Sequence, residues 1–138
     1  MSPIKSIEIF YDNIINKNVE GIRNAYVVSE NTYVILEGPR FTTRGYENIA
    51  KGWGDFCSSP IDLIGITWLE GPFEEMNEGM AFLAGIIELA VALKGKLSIV
   101  KFRASFVLLK VGETWLIKHE HVSAPMQDPY GIGDWLKK

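Results

Sequence analysis

Phe102-Arg103-Ala104-Ser105-Phe106-Val107-Leu108-Leu109, a Val111-Gly112-Glu113 turn and Trp115-Leu116-Ile117-Lys118-His119-Glu120-His121-Val122-Ser123 read as one long β-hairpin. Its second strand carries both histidines of the chain. Successive side chains of a strand point to opposite faces. Phe102, Ala104, Phe106 and Leu108 therefore share a uniformly apolar face, whereas Ile99, Lys101, Arg103, Ser105, Val107 and Leu109 share a mixed one. Helices need an apolar surface to rest on, so the Phe102 face is expected inside. On the second strand, strict alternation groups Trp115, Ile117, His119, His121 and Ser123 against Leu116, Lys118, Glu120 and Val122.

Moving toward the N-terminus, Leu97 is joined through the turn Lys94-Gly95-Lys96 to an apolar strand from Met80 to Leu93, and Ile61 to Leu69 precedes that. Four strands make an antiparallel meander. The first half is helical. Ser2-Pro3 is a helix start, and Ile4, Ile7, Tyr11, Ile14 and Ile15 recur at helical spacing. A shorter helix carries Val19, Ile22 and Tyr26, and Thr32 to Leu36 is a β-branched strand. Arg40 to Thr43 is a short return, and a third helix carries Tyr46, Ile49, Ala50, Trp53 and Phe56. Helices first and strands second predict an α+β domain with helices covering one face of a curved sheet.

A chain of 138 residues forms a single domain, 1–138, in which 125–138 reads as a C-terminal tail. That tail, with Met126, Tyr130, Ile132, Trp135 and Leu136, is expected to be a lid over a cavity mouth or an arm onto a partner subunit. A net charge of −3 without a basic run argues against nucleic acid as a partner. The lone Cys57 leaves no internal disulfide and fits a reducing compartment. No segment reads as a signal peptide or a membrane span, so a cytoplasmic location is expected.

The order of elements resembles the nuclear-transport-factor-2-like superfamily of cone-shaped, cystatin-like α+β domains, and within it the SnoaL-like group. The fragments that carry the likeness are Gly45-Tyr46-Glu47-Asn48-Ile49, Arg103-Ala104-Ser105 and the strand from Trp115 to Ser123. That strand is also similar to the end of the association domain of calcium/calmodulin-dependent protein kinases, with Trp, His, His and Ser at matching spacings. The resemblance implies a cone whose concave face holds three helices, with Leu116, Lys118, Glu120 and Val122 pointing inward. It puts Arg103, Ser105, His119, His121 and Ser123 on the outer face, where such domains dimerise. It also weighs against a ketosteroid isomerase. The positions matched to that enzyme's tyrosine and aspartate fall on Phe10 and on Ile35 or Leu36, with Tyr11 and Glu37 beside them.

The Lys94-Gly95-Lys96 turn is read as placing Glu88 opposite Phe102, hence inside, unless a bulge at Gly85 reverses it. Glu88 and Glu120 are then candidate acid and base, or Glu88 is a structural partner of Lys118, Arg103 or a second subunit. Tyr26, Tyr33, Trp53, Trp68, Phe102, Phe106 and Lys118 are the expected pocket lining, with Phe41 a further aromatic candidate. His119 and His121 share a face, as a metal site would need, but no third ligand is visible, and no metal or cofactor is expected. Arg103 with Ser105 either grips an anion or bridges subunits. The reading is a small homodimeric domain holding an apolar or carboxylated molecule. The alternatives are a SnoaL-type cyclase or isomerase and an oligomerisation module.

Overall fold

Ser2 starts the first helix as its cap: the side chain accepts the Lys5 amide at 3.1 Å, and Pro3 fills a first-turn position where a missing N–H costs nothing. In this computed structural model, which describes residues 1–134, α1 spans Pro3–Ile15 and buries Ile7, Phe10, Tyr11 and Ile14. Then follow α2 (Val19–Arg23), β1 (Tyr33–Ile35), β2 (Thr43–Arg44), α3 (Tyr46–Cys57), β3 (Ile61–Met76), β4 (Met80–Leu93), β5 (Lys96–Val111) and β6 (Thr114–Ser123). The strands form one curved sheet in the order β2-β1-β6-β5-β4-β3, with β1 parallel to β6 and every other pair antiparallel. Three register shifts along β3 bend the outermost long strand, as bulges do. The α+β architecture matches the expectation.

The apolar face of β5 is inside. Ala104, Phe106 and Leu108 are buried beside half-buried Phe102, while Lys101 and Arg103 are exposed. One end of the concave face is filled by Leu83, Ile87, Phe106, Leu108 and Ile117, all under 2% exposed. The ring of Tyr11 on α1 meets Phe106 edge-on at 6.3 Å, fixing the helix over that packed end. The other end of the concave face stays open.

Two local features redirect side chains that strict alternation had assigned elsewhere. The β4–β5 turn holds two residues, Lys94 and Gly95, both with positive φ (52° and 82°), and Leu93 pairs directly with Lys96. This is the tight geometry that suits strand twist. It sets Glu88 opposite Lys101, not Phe102, and β4–β5 runs without a bulge at Gly85. A one-residue change of register exchanges faces. Glu88 is therefore on the outer face, and it has no ion pair among the described residues.

The second feature is a bulge in β6 at Lys118: Val107 pairs with His119, but the next residue, Leu108, pairs with Ile117. The free edge of β6 serves two segments in succession. Ile117 exchanges hydrogen bonds with Ala25 and Val27 at 2.8 and 2.9 Å, and beyond the bulge β1 pairs with His119, Glu120 and His121. Trp115 and Ile117 are consequently buried together with Glu120 and Val122, and Leu116 falls on the opposite side. Lys118 leaves the expected lining, because its ammonium donates to Ser29 Oγ at 3.2 Å. In the tail, Met126, Tyr130 and Ile132 are exposed, whereas Trp135 and Leu136 lie outside the described residues.

Candidate binding cavity and its carboxyls

The open end of the cone encloses a cavity of about 660 Å³. Its floor and walls come from Phe10, Tyr11 and Ile14 of α1, Leu63 of β3, Leu89 and Val91 of β4, Val100 and Phe102 of β5, and Val34 and Leu36. Trp53 and Phe56 of α3 close one side, and the segment from Glu37 to Thr43 frames the mouth. This wall is mostly hydrocarbon. Gly52 also lines it, and a Cβ added there would meet nothing within 4 Å.

Among those apolar groups sits Glu120, 1% exposed. The bulge at Lys118 turns its carboxyl inward, and the bridge between Tyr26 and Ile117 brings the Tyr26 hydroxyl against it. Tyr26 donates a hydrogen bond to Glu120 Oε1, and the Tyr26 oxygen in turn accepts from Trp53 Nε1 at 2.9 Å. Oε2 of Glu120 has no protein partner among the described residues and is the oxygen left to the cavity. Burial raises the Glu120 pKa to about 8; the Tyr26 hydrogen bond opposes the rise and Glu37 adds to it. Glu120 is thus a neutral acid at pH 7, able to donate from Oε2 to an oxygen in the cavity.

Glu37 and the ion-paired Asp55 are further carboxyls bordering the same cavity; Glu37 is solvent-exposed at its mouth, and partial desolvation of its carboxyl raises its pKa. Tyr11 faces Glu120 and Glu37: burial first, then those two, hold its pKa well above the ordinary tyrosine range, so the phenol stays protonated. Tyr11 and Glu37 each lie one place from Phe10 and Leu36, positions matched above to a ketosteroid isomerase's tyrosine and aspartate. Tyr11 and Glu37 line the cavity, while Ile35 does not. Phe10 and Leu36 line it as well, so the apolar residues at the matched positions face the same space as their polar neighbours. Glu37 was missed as a site residue because regular alternation ends with β1 at Ile35. The signal that could have found it is a carboxylate between Leu36 and the chain-breaking Gly38-Pro39.

The other expected site residues divide cleanly. Trp53 and Phe102 line the cavity, and Tyr26 stands behind Glu120. Phe106 and Trp68 belong to the packed end, where Trp68 lies over Gly85. Tyr33 turns away and stacks on His119 with centroids 6.1 Å apart, and Phe41 is 95% exposed. On the outer face His119 Nδ1 is 2.7 Å from the Tyr33 carbonyl oxygen. Arg103 donates to Ser123 Oγ at 2.8 Å and to the Ala124 carbonyl at 3.2 Å, and Ser105 lies opposite His121. Burial, then Arg103 and His119, lower the His121 pKa. No cluster of three metal-ligating side chains occurs among the described residues.

Comparison with known proteins follows this geometry. The family described as SnoaL-like domain matches residues 5–127. No curated protein matches the chain. Among solved structures, a nuclear-transport-factor-2-like superfamily protein from Salmonella enterica serovar Typhimurium is 21% identical, with 94% of this chain and 93% of that one covered and a TM-score of 0.77. A Xanthomonas campestris protein, assigned provisionally as a calcium/calmodulin-dependent protein kinase II association domain, is 20% identical over 86% of this chain and 82% of its own, with a TM-score of 0.66. A ketosteroid isomerase-like protein from Erwinia carotovora atroseptica is 11% identical over 88% and 93%, with a TM-score of 0.69. At these identities the likeness establishes the fold alone.

Proposed function

We propose, from the premise that this chain belongs to the SnoaL-like domain family, that it binds a small apolar molecule carrying an oxygen function inside the cone. One observation supports the reading above others: a cavity of about 660 Å³ with hydrocarbon walls holds a buried carboxyl, Glu120, with one oxygen unengaged. Pockets of this size and lining suit drug-sized ligands, and a few polar groups set their orientation. Glu120 would donate to a ligand carbonyl or hydroxyl oxygen, and Glu37, bordering the same cavity, would accept a proton from the ligand's adjacent carbon. Two carboxyls outside any ion pair among the described residues, Glu37 and Glu120, border one cavity and also support the second reading, proton transfer, in place of Glu88 and Glu120.

A single experiment separates the readings. 2-Tetralone, an apolar bicyclic ketone, is titrated into the protein with tryptophan fluorescence as readout, since Trp53 lines the cavity. Saturable binding is expected, and Gly52→Phe, which grows a ring into open space, should weaken it by about tenfold or more. No saturation, or equal affinity in Gly52→Phe, would defeat the cavity reading. The bound ketone is then followed in D2O by NMR. Exchange of its α-protons that disappears in Glu37→Gln supports proton transfer, and background-level exchange leaves binding alone.

The homodimer is proposed on the outer face of the sheet. Phe73, Phe82 and Ile99, 58, 41 and 57% exposed, point away from the cone and form an apolar surface that a second copy would cover. The outward Arg103, His119 and His121 belong to that same face. A cytoplasmic setting is part of the same proposal. Sedimentation velocity is expected to show a dimer that Phe82→Glu converts to monomer. A wild-type monomer at tens of micromolar (about 50 µM) would remove the proposal.

A further inference from the structure

A second, polar hollow opens at the mouth of the cone, lined by Arg40, Thr42, Thr43, Arg44, Lys51 and Asp55, together with Asn48 and Gly52. Arg40, Thr42, Thr43, Asn48, Gly52 and Asp55 also border the apolar cavity, so the two spaces adjoin. The charges are unbalanced. Lys51 offsets Asp55 through an ion pair of 2.9 Å, Arg44 spends one nitrogen on Asn31 Oδ1 at 3.3 Å, and Arg40 has no hydrogen bond or ion pair among the described residues. A chain of net charge −3 thus concentrates three cations against one carboxylate in this hollow, where an apolar cavity opens to water. Glu37 lies just inside, on the cavity side only.

We infer that the cavity's ligand is amphipathic and anionic: an apolar body fills the cone, and a carboxylate or phosphate group remains in the polar hollow against Arg40 and Arg44. The guanidinium fork of Arg40 presents paired donors to either anion. Thr42 and Thr43 offer hydroxyl donors beside it. Gly52, which lines both spaces, puts no side chain at the junction between head and body. An ionised group could not be buried at the floor, where Glu120 lies among hydrocarbon, without a large desolvation cost. The polarity of the cavity therefore orders the ligand, with the anion outward and any neutral oxygen inward. This inference rests on the proposed ligand cavity.

The test is calorimetric titration with decanoate, decyl phosphate and decan-1-ol, all below their aggregation limits, at about 50 mM and about 300 mM salt. At the lower salt at least one anion is expected to bind about fivefold or more tightly than decanol, and the advantage should shrink at the higher salt. In Arg40→Gln/Arg44→Gln the advantage should vanish while decanol stays within about twofold of its wild-type affinity, because both side chains are at the surface and decanol carries no charge for them to hold. Which anion is preferred identifies the head group. Decanol binding as tightly as both anions, or an anion preference that survives the double substitution, overturns the inference and leaves the cavity reading intact. If none of the three binds, or Gly52→Phe binds them all unchanged, the cavity reading falls and the inference with it.

Discussion

Gly85→Ala is expected to destabilise the fold by roughly 3 kcal/mol or more, the upper range for overpacking, and to lower the thermal midpoint by on the order of 10 °C. A Cβ at this position would lie 2.1 Å from the Glu70 carbonyl oxygen and 3.0 Å from two ring carbons of Trp68. The oxygen belongs to backbone held in the sheet beside β4, just past a register shift between Trp68 and Glu70. It cannot rotate away as a side-chain tip could. Relief requires β3 and β4 to part where Leu83 and Ile87 are fully buried. Gly79→Ala is the control, because nothing lies within 4 Å of its Cβ. A Gly85→Ala midpoint within about 3 °C of wild type would show that Trp68 and the β3 bend yield more easily than the geometry implies.

The same bend explains why part of the cone was legible from residues and part was not. Alternation along Phe102, Ala104, Phe106 and Leu108 identified the inner face, because β5 stays in phase with β4 from Lys96 to Leu109. Helical spacing placed Ile7, Tyr11 and Ile14 against it. What failed was phase between strands. Two residues in the Lys94-Gly95 turn in place of three moved Glu88 to the outer face, and one extra residue at Lys118 reversed Trp115 and Ile117 relative to His119 and His121. Neither change alters composition or the apolar count of any window. Both depend on backbone partners far away in sequence, such as Ala25 and Val27 beside Ile117. Glu120 was identifiable because it lies beyond the bulge on the strand that already held the histidines. Tyr26 was legible as pocket lining but not as its hydrogen-bond partner, since the helix that carries the stripe ends at Arg23, and Glu37 was not legible because it follows the last residue of β1.

Glu120→Gln is expected to leave stability near wild type at pH 5 and to raise it progressively toward pH 8. In the folded protein the carboxyl titrates near 8, against an ordinary value of 4.5. Between those values the folded state holds a proton that the unfolded chain has released. Wild-type stability therefore falls as pH rises, by up to about 1.4 kcal/mol per unit from this group alone. Below about 4.5 both states are protonated, and above about 8 both are ionised, so the contribution is flat at either end. Glutamine keeps an oxygen to accept from Tyr26 and cannot ionise, which removes the slope while preserving the hydrogen bond. Glu37 contributes a slope of the same sign, and His121, held below its ordinary value, one of opposite sign. Both persist in the variant, so the difference between wild type and variant isolates Glu120. Chemical denaturation at pH 5, 6, 7 and 8 should show that difference widening to several kcal/mol, with a midpoint gap on the order of 10 °C at pH 8. Parallel curves for the two proteins across the range would mean that Glu120 is ionised in the folded state at neutral pH. It could then accept a hydrogen bond from a ligand but not donate one.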